Sequence, residues 1–452
     1  MILTSMIAVA ALQAAPAPQL AGQWEGVLSV GGQSLRIVLR VDPTGAAVVD
    51  SPDQGSNGIP ADGPTLEGGV VRFSVPAVRA SFEGALSADG RTITGALTQG
   101  PAAMPVVLTR TADVVSIAGP SRPQTPVAPF PYRSEDVTFP NAVAGITLAG
   151  TLTLPTGDGP FPAAILITGS GAQDRDETIF NHKPFLVWAD ALTRRGVAVL
   201  RYDDRGVGGS GGGTPDETSA DFATDAAAAM AWLRTRPEID ARGIGLIGHS
   251  EGGLIAPMVA EGGGEPAWIV MLAGTSVNGG DILVEQQRRL ATAAGLPAAQ
   301  VETGNASQRA LMDAVARNKD DAAAAERETV ALLTAGGMAE TQAKQVVRPI
   351  VSAWYRWFVA HDPAPALAAV HVPLLALYGG KDLQVPADQN APVLARVQPA
   401  AEIVILPDLN HLMQTAETGA PSEYGTIEET IAPEALKTVV DWVAARSGLP
   451  PQ

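Results

Sequence analysis

The chain contains no cysteine among its 452 residues. This absence excludes disulfides, thiolate metal ligands and a cysteine nucleophile. Other metal sites also lack support, because the sequence has no His-x-x-x-His pair and no carboxylate-rich loop with EF-hand spacing. We therefore expect a protein that works without a metal or another cofactor.

Basic residues are scarce. The chain has 30 lysines and arginines against 47 aspartates and glutamates, and its formal net charge is −17. Such a surface repels phosphate backbones, and no Lys/Arg-rich cluster offsets it, so nucleic acid is not an expected partner. Hydrophobic residues make up 46% of the sequence, which is enough for sizeable cores and excludes a disordered chain.

Long apolar runs are missing as well, and no segment is long enough without charges to form a membrane-spanning helix. A short apolar run opens the chain and leads to the small residues Ala14 and Ala15, as in a secretory signal, although a positive n-region is absent. We therefore predict a signal peptide over residues 1–17 and export to the periplasm or the medium.

The first hundred residues differ in pattern from the rest. Residues 18–115 form short alternating runs broken by turn signals such as Gly31-Gly32 and Asp89-Gly90, which predicts a small antiparallel β barrel or sandwich. Trp24 is interpreted as a core residue of this domain, and the sequence leaves the domain's partner open. The several prolines of residues 116–133 predict an extended linker.

Residues 134–450 alternate between strand-like and helix-like segments. The strand-like runs are continuously apolar, which suits parallel strands buried on both faces. They lie at 163–167, 197–200, 244–247, 267–272, 374–378 and 403–406. We expect an α/β domain with a mostly parallel, doubly wound sheet.

One connection in this region is unusually long. About one hundred residues separate the apolar run that ends at Leu272 from the one that starts at Leu374, far more than a usual connection. Within it, helix-forming residues are concentrated at 281–294, 307–318, 320–334 and 341–358. We predict an inserted helical cap over about residues 278–367.

A nucleophile motif stands between a strand-like run and a helix-like run. Gly248-His249-Ser250-Glu251-Gly252 has the form G-x-S-x-G, in the context of the nucleophile elbow of the α/β-hydrolase fold. The glycines let the strand and the helix approach closely, while the turn exposes the serine hydroxyl. Ser250 is the predicted nucleophile.

A serine hydroxyl needs a base to accept its proton, and the chain has five histidines. In this fold the partners follow in the order Ser, acid, His. Only His411 comes after the last strand-like run, so it is the predicted base. The other four are placed less well for this role, by their position in the elbow, before it, in the cap or before a buried strand: His249, His182, His361 and His371.

The acid that orients His411 should follow the run at 374–378. Asp382 has that position and is the predicted partner. Asp388 and Asp408 are the competitors, and Asp408 is only three residues from His411.

The oxyanion hole needs two backbone N–H donors. The residue after the nucleophile, Glu251, supplies one of them. The glycine-rich loop after the run at 163–167 supplies the other, and we favour Ser170 over Gly171.

Four segments resemble bacterial α/β-hydrolases, namely the EstD-like carboxylesterases or serine-aminopeptidase-like hydrolases. They are ITGSGAQDRD at 167–176, YDDRGVG at 202–208, GHSEGG at 248–253 and LNHLMQ at 409–414. The resemblance runs from about residue 132 to 447 and implies a triad of Ser250, Asp382 and His411. It also implies activity on short acyl esters and a frequent N-terminal β domain, and residues 418–429 fit a pocket wall.

The expected activity is therefore the hydrolysis of a small ester through an acyl-enzyme. A first alternative is an aminopeptidase or other amide hydrolase, which would need acidic groups for a substrate ammonium, and Glu285, Asp281 and Glu251 are the candidates. A second alternative is a binding protein with a vestigial hydrolase domain.

Overall fold

The structure is a computed structural model that describes residues 18–30, 33–51, 56–78, 80–99, 102–112 and 121–450. The chain divides into two compact units, Met1–Ser121 and Arg122–Gln452, within the predicted linker. The predicted signal peptide of residues 1–17 lies outside the described residues. It stays a prediction, as does export, and N-terminal sequencing of the protein recovered from the medium or periplasm would test both.

The first unit is a closed antiparallel barrel of eight strands, in which each strand pairs with the next and β1 pairs with β8. The strands are β1 Gly22–Val30, β2 Gln33–Val41, β3 Ala47–Ser51, β4 Ser56–Glu67, β5 Val70–Val75, β6 Ala80–Leu86, β7 Thr92–Gln99 and β8 Ala102–Ala112. Closure joins the two edges that an open sheet would leave unpaired, so the expected barrel or sandwich is a barrel.

The alternating sequence places every second side chain inside the barrel, as β6 shows with its regular buried and exposed positions. Trp24 is fully buried, and its indole N–H donates to the backbone oxygen of Leu20 over 2.9 Å. The guanidinium of Arg110 lies 4.4 Å from the centre of the indole ring. Trp24 is therefore a core residue, as expected.

The second unit contains an eight-stranded sheet in the order β16-β15-β14-β13-β11-β12-β10-β9. Its strands are β9 Arg133–Asn141, β10 Ile146–Leu154, β11 Phe161–Ile167, β12 Ala198–Tyr202, β13 Ile239–His249, β14 Ile269–Leu272, β15 Leu374–Gly379 and β16 Glu402–Leu406. β9 and β10 are antiparallel, whereas the pairs from β12 through β11 to β16 are parallel. The parallel strands expose their carboxyl ends at one edge, where ligands bind in such sheets.

Twelve helices accompany the sheet in the described part of the chain, and none of them is long and apolar enough to cross a membrane. Six lie along the sheet connections and after it: α1 Pro184–Arg194, α2 Ser219–Leu233, α3 Glu251–Glu261, α10 Ala387–Val397, α11 Pro421–Tyr424 and α12 Pro433–Arg446. The fully buried strands β12, β14 and β15 explain the continuous apolar runs in the sequence. The α/β-hydrolase fold predicted from the sequence is confirmed.

The remaining six helices form the cap between β14 and β15. They are α4 Gly279–Ala293, α5 Ala298–Arg317, α6 Ala322–Ala335, α7 Glu340–Ile350, α8 Ala353–Ala360 and α9 Ala364–Ala368. The helix-forming stretch at 341–358 is divided into α7 and α8, because Ser352 caps α8 by accepting a hydrogen bond from the N–H of Tyr355 over 3.3 Å.

Candidate active site

Ser250 occupies the sharp turn between β13 and α3. Its φ of +53° is rare for a residue with a side chain, and its N–H donates to the oxygen of Leu272 over 2.8 Å. A Cβ on Gly248 would lie 1.9 Å from the oxygen of Gly252, and one on Gly252 would lie 2.1 Å from the oxygen of Ile167. The two glycines are therefore required by the close approach of α3 to the sheet.

His411 and Asp382 are in contact after the last two strands. Nδ1 of His411 lies 2.8 Å from Oδ2 of Asp382, and both side chains are buried. The other carboxylate oxygen, Oδ1, accepts the N–H groups of Gln384 and Val385 over 2.7 and 2.9 Å. These bonds fix the carboxylate, and the carboxylate fixes the ring, which leaves Nε2 of His411 as its free nitrogen.

The two competing carboxylates are engaged elsewhere. Asp388 is exposed and pairs with Arg289 over 2.6 Å, and Asp408 is exposed and lies 3.2 Å from Nζ of Lys381. The geometry therefore favours Asp382 as the partner of His411.

The side chains of Ser250 and His411 share one small cavity of about 80 Å³ beneath the cap. Its lining residues are Ser170, Ser250, Glu251, Thr275, Ile282, Leu283, Gln286, Trp354, Phe358, Gln384, Val385 and His411. The walls contributed by α4 and α8 belong to the cap, so the cap determines the shape of this cavity.

Both preferred oxyanion-hole residues line the cavity with Ser250. Glu251 begins α3, so its N–H has no partner within the helix and is available to a ligand. Ser170 lies in the loop after β11. Gly171 follows it with a φ of +103°, a conformation that favours glycine, and it is not a lining residue of this cavity.

The loop that carries Ser170 is tied to the segment after β12. Asp204 accepts hydrogen bonds from the Oγ1 of Thr168 over 2.7 Å and from the N–H of Gln173 over 2.9 Å. Asp203 accepts from Arg175 over 2.7 Å. Burial raises the pKa of Asp204 to about 7, although its hydrogen bonds oppose this.

The side chain of Glu251 connects the elbow to the cap. Its Oε1 accepts hydrogen bonds from the Oγ of Ser219 over 2.5 Å and from the indole N–H of Trp354 over 2.8 Å. Burial raises the pKa of this carboxyl above its usual value. Glu251 therefore joins α2 and α8 to the turn that holds Ser250.

Sequence reasoning missed three residues at this site. Trp354 could not be predicted as a site residue, because the helix pattern of the sequence does not show how the cap packs against the elbow. Glu177 forms a hydrogen bond with His249 beside Ser250. In the sequence, its role was indicated only by its being a carboxylate close to the glycine-rich loop. Gln384 lines the cavity from the turn after Asp382. In the described residues, no group of three or more histidine, aspartate or glutamate side chains is arranged to hold a metal ion.

A serine at this elbow, at the carboxyl edge of such a sheet, defines the class of the protein. It is a serine hydrolase with the α/β-hydrolase fold. The chain belongs to the X-Pro dipeptidyl-peptidase (S15) family, whose sequence model matches residues 144–412.

Individual relatives include the esterase EstD of Thermotoga maritima, which is 28% identical over 320 residues, or 70% of this chain and 69% of that protein. This relative confirms the resemblance to EstD-like hydrolases. Among solved structures, the chain is similar to the esterase Pf2001 of Pyrococcus furiosus, with 17% identity, a TM-score of 0.44 and coverage of 73% of this chain and 98% of that one. It is also similar to the α/β hydrolase GrgF from Penicillium sp. sh18, with 16% identity, a TM-score of 0.46 and coverage of 70% and 100%.

Proposed function

We propose that the protein hydrolyses carboxylic esters with short acyl groups, using Ser250 as nucleophile, His411 as base and Asp382 as the acid that orients it. The observation that carries this proposal is the 2.8 Å contact between Asp382 and Nδ1 of His411, in a ring that shares a cavity with Ser250. The contact assigns Nδ1 to the carboxylate, so Nε2 is the nitrogen that accepts the serine proton.

The reaction proceeds in two steps. His411 takes the proton of Ser250 as the hydroxyl oxygen bonds to the ester carbonyl carbon, and the N–H groups of Glu251 and Ser170 stabilise the oxyanion. The C–O bond to the alcohol then breaks, and His411 returns the proton to the leaving oxygen. Water attacks the acyl-enzyme with His411 as base again, which releases the acid and restores Ser250.

The cavity supports a small, uncharged acyl group. Its volume of about 80 Å³ lies far below the roughly 300–1,000 Å³ of pockets for larger ligands. Apolar side chains from the cap, Ile282, Leu283 and Phe358, contribute to its walls. We therefore expect acetyl and propionyl esters to react faster than long-chain esters.

Replacing the nucleophile tests the proposal directly. Ser250→Ala removes the proposed nucleophile, so kcat for p-nitrophenyl acetate should fall at least about 10⁴-fold. Ser307→Ala, on the exposed side of the cap helix α5, is the matched control and should keep the parental kcat. Mass spectrometry of fluorophosphonate-treated protein should locate the adduct on Ser250. Equal ester turnover by parent and Ser250→Ala would refute the assignment.

Amide hydrolysis is the second candidate, and one observation favours it: the carboxyl of Glu251 lines the cavity, and both of its hydrogen bonds end on Oε1. The other acidic candidates are neutralised elsewhere, since Asp281 pairs with Arg309 over 2.6 Å and Glu285 pairs with Arg289 over 2.7 Å. A preference for aminoacyl anilides over acetyl esters that Glu251→Gln abolishes would replace the esterase proposal with this one.

The vestigial-hydrolase alternative predicts a folded protein in which Ser250 does not react. Absence of any fluorophosphonate adduct on protein with a cooperative unfolding transition would favour that alternative over both hydrolytic activities.

A further inference from the structure

The ring of His249 lies beside Ser250 and contacts two groups that accept hydrogen bonds. Its Nδ1 lies 2.9 Å from Oε1 of Glu177, and its Nε2 lies 3.0 Å from the backbone oxygen of His411. A backbone carbonyl can only accept, and an ionised carboxylate can only accept. Against an ionised Glu177, both ring nitrogens would donate, and the ring would then be a doubly protonated imidazolium.

The carboxyl of Glu177 accepts a second hydrogen bond and is buried together with His249. Its Oε1 also accepts the N–H of Gly169 over 2.7 Å, so one oxygen receives donors from two segments. The side chains of Glu177 and His249 are only 6% and 9% exposed. A buried carboxylate is stabilised by a charged partner in hydrogen-bonding contact, whereas a lone buried charge is costly.

The backbone holds this arrangement at some conformational cost. Glu177 has a φ of +52°, a left-handed conformation that is uncommon for a residue with a side chain. At Gly169, a Cβ would lie 3.2 Å from Oε1 of Glu177 and 3.3 Å from Cβ of Ser250. A side chain at position 169 would therefore push on both the carboxylate of Glu177 and the nucleophile, so the loop after β11 passes closely between them.

Several charged or titratable groups surround His249. Glu177 faces it from the loop after β11, Asp382 from the turn after β15, and the ring of His411 lies 4.9 Å away, centre to centre. Glu177 in turn helps to raise the pKa of Asp204, after β12. Burial opposes a charge on His249, but the carboxylate of Glu177 and its hydrogen bond outweigh this effect and raise the pKa of the ring above its ordinary value.

We propose that Glu177 and His249 form a buried ion pair that positions the oxyanion loop and the catalytic histidine relative to Ser250. Glu177 holds the loop through Gly169, His249 belongs to the elbow itself, and its Nε2–H holds the backbone of His411. One pair thus connects the three segments that must meet at a substrate carbonyl. Glu177 and His249 are positioning residues, and their role in turnover rests on the proposed function, whereas the protonation of the ring does not.

Glu177→Gln isolates the charge from the shape. The amide oxygen can still accept hydrogen bonds, but the pair loses its negative charge, so the ring loses its second proton and one of its two bonds. We expect kcat for a small ester to fall roughly 10–100-fold with little change in KM, as for other groups that orient a reacting residue. Without the carboxylate, burial should lower the pKa of His249, so the variant should regain kcat only as the pH falls.

Glu217→Gln is the matched control, because Glu217 accepts backbone N–H groups of Gly213 and Thr214 outside the cavity. It should keep the parental kcat and pH profile. A parental kcat and pH profile for Glu177→Gln would overturn the positioning role.

The ring protonation has a readout that needs no substrate. In ¹⁵N-histidine NMR spectra of the parent at about pH 7.5, above the ordinary histidine range, one ring should remain doubly protonated. Its signals should disappear in His249→Asn. A singly protonated His249 in the parent would overturn the ion pair, even if Glu177→Gln does not fold. Fluorophosphonate labelling of Ser250 tests the proposed function, and the NMR spectra test the ion pair. Failure of one is therefore distinguishable from failure of the other.

Discussion

At the scale of single residues, the two histidines beside Ser250 differ in what their ring nitrogens contact. In His411, Nδ1 contacts the carboxylate of Asp382 and leaves Nε2 free. In His249, both nitrogens are occupied, by Glu177 and by a backbone oxygen. A ring with a free nitrogen can exchange a proton with a substrate, whereas a ring with two fixed bonds can only orient its neighbours.

His182 predicts acid sensitivity of the second unit. Burial and the nearby charge of Arg122 lower its pKa to about 4 from 6.5. Between these values the unfolded chain binds a proton that the folded protein does not, so stability should fall as pH falls from about 6.5 to 4, by about 3 kcal/mol for this group. His182→Gln should reduce the loss of unfolding free energy over that range, measured by urea unfolding at each pH.

His371 is exposed and provides the control for that experiment. His371→Gln should leave the parental dependence of unfolding free energy on pH unchanged. If His182→Gln and the parent lose equal free energy between pH 6.5 and 4, the buried neutral ring is not a source of acid sensitivity.

At the scale of secondary structure elements, two glycines on different helices should respond oppositely to alanine. A Cβ on Gly252 would lie 2.1 Å from the oxygen of Ile167, so Gly252→Ala forces α3 away from β11 and should destabilise by about 3 kcal/mol or more. Gly304 lies within α5, and its nearest neighbour is the flexible end of Gln287 at 3.1 Å. Gly304→Ala should stabilise by up to about 1 kcal/mol.

Urea unfolding monitored by tryptophan fluorescence measures both changes, since every tryptophan except Trp24 belongs to the second unit. Equal unfolding free energies for Gly252→Ala and the parent would show that α3 can move without loss of packing.

The cap acts on the site through a small number of side chains. α4 contributes Ile282 and Leu283 to the cavity, and α8 contributes Trp354 and Phe358. Trp354 also binds Glu251, whose N–H is the expected oxyanion donor. The position of α8 therefore affects both the size of the cavity and the start of α3.

At the scale of the whole molecule, all residues that line the cavity belong to the second unit. The barrel has its own hydrophobic core, which includes Trp24, Phe73 and Phe82. A chain that starts at Ser121 should therefore keep the kcat of the full protein for a small soluble ester. If the truncated chain loses turnover but keeps a cooperative unfolding transition, the barrel contributes to catalysis.

The sequence by itself determined the sheet, the cap and the elbow. Continuous apolar runs indicate strands buried on both faces, which holds for β12, β14 and β15 but not for the edge strand β16. G-x-S-x-G between a strand and a helix requires the close approach seen at Gly248 and Gly252. The order of Ser250, Asp382 and His411 along the chain was sufficient to propose their roles, because parallel strands bring their carboxyl ends to one edge.

Tertiary structure decided the rest. Asp382, Asp388 and Asp408 follow the same part of the sheet in the sequence. Only the distances in the folded protein distinguish Asp382, which contacts His411, from the two exposed carboxylates. Glu177 contacts His249 from an irregular loop in which Glu177 itself has a left-handed backbone conformation. No periodic sequence pattern predicts such a conformation. Local sequence patterns report burial and turns, whereas contacts between distant loops depend on how the completed sheet brings them together.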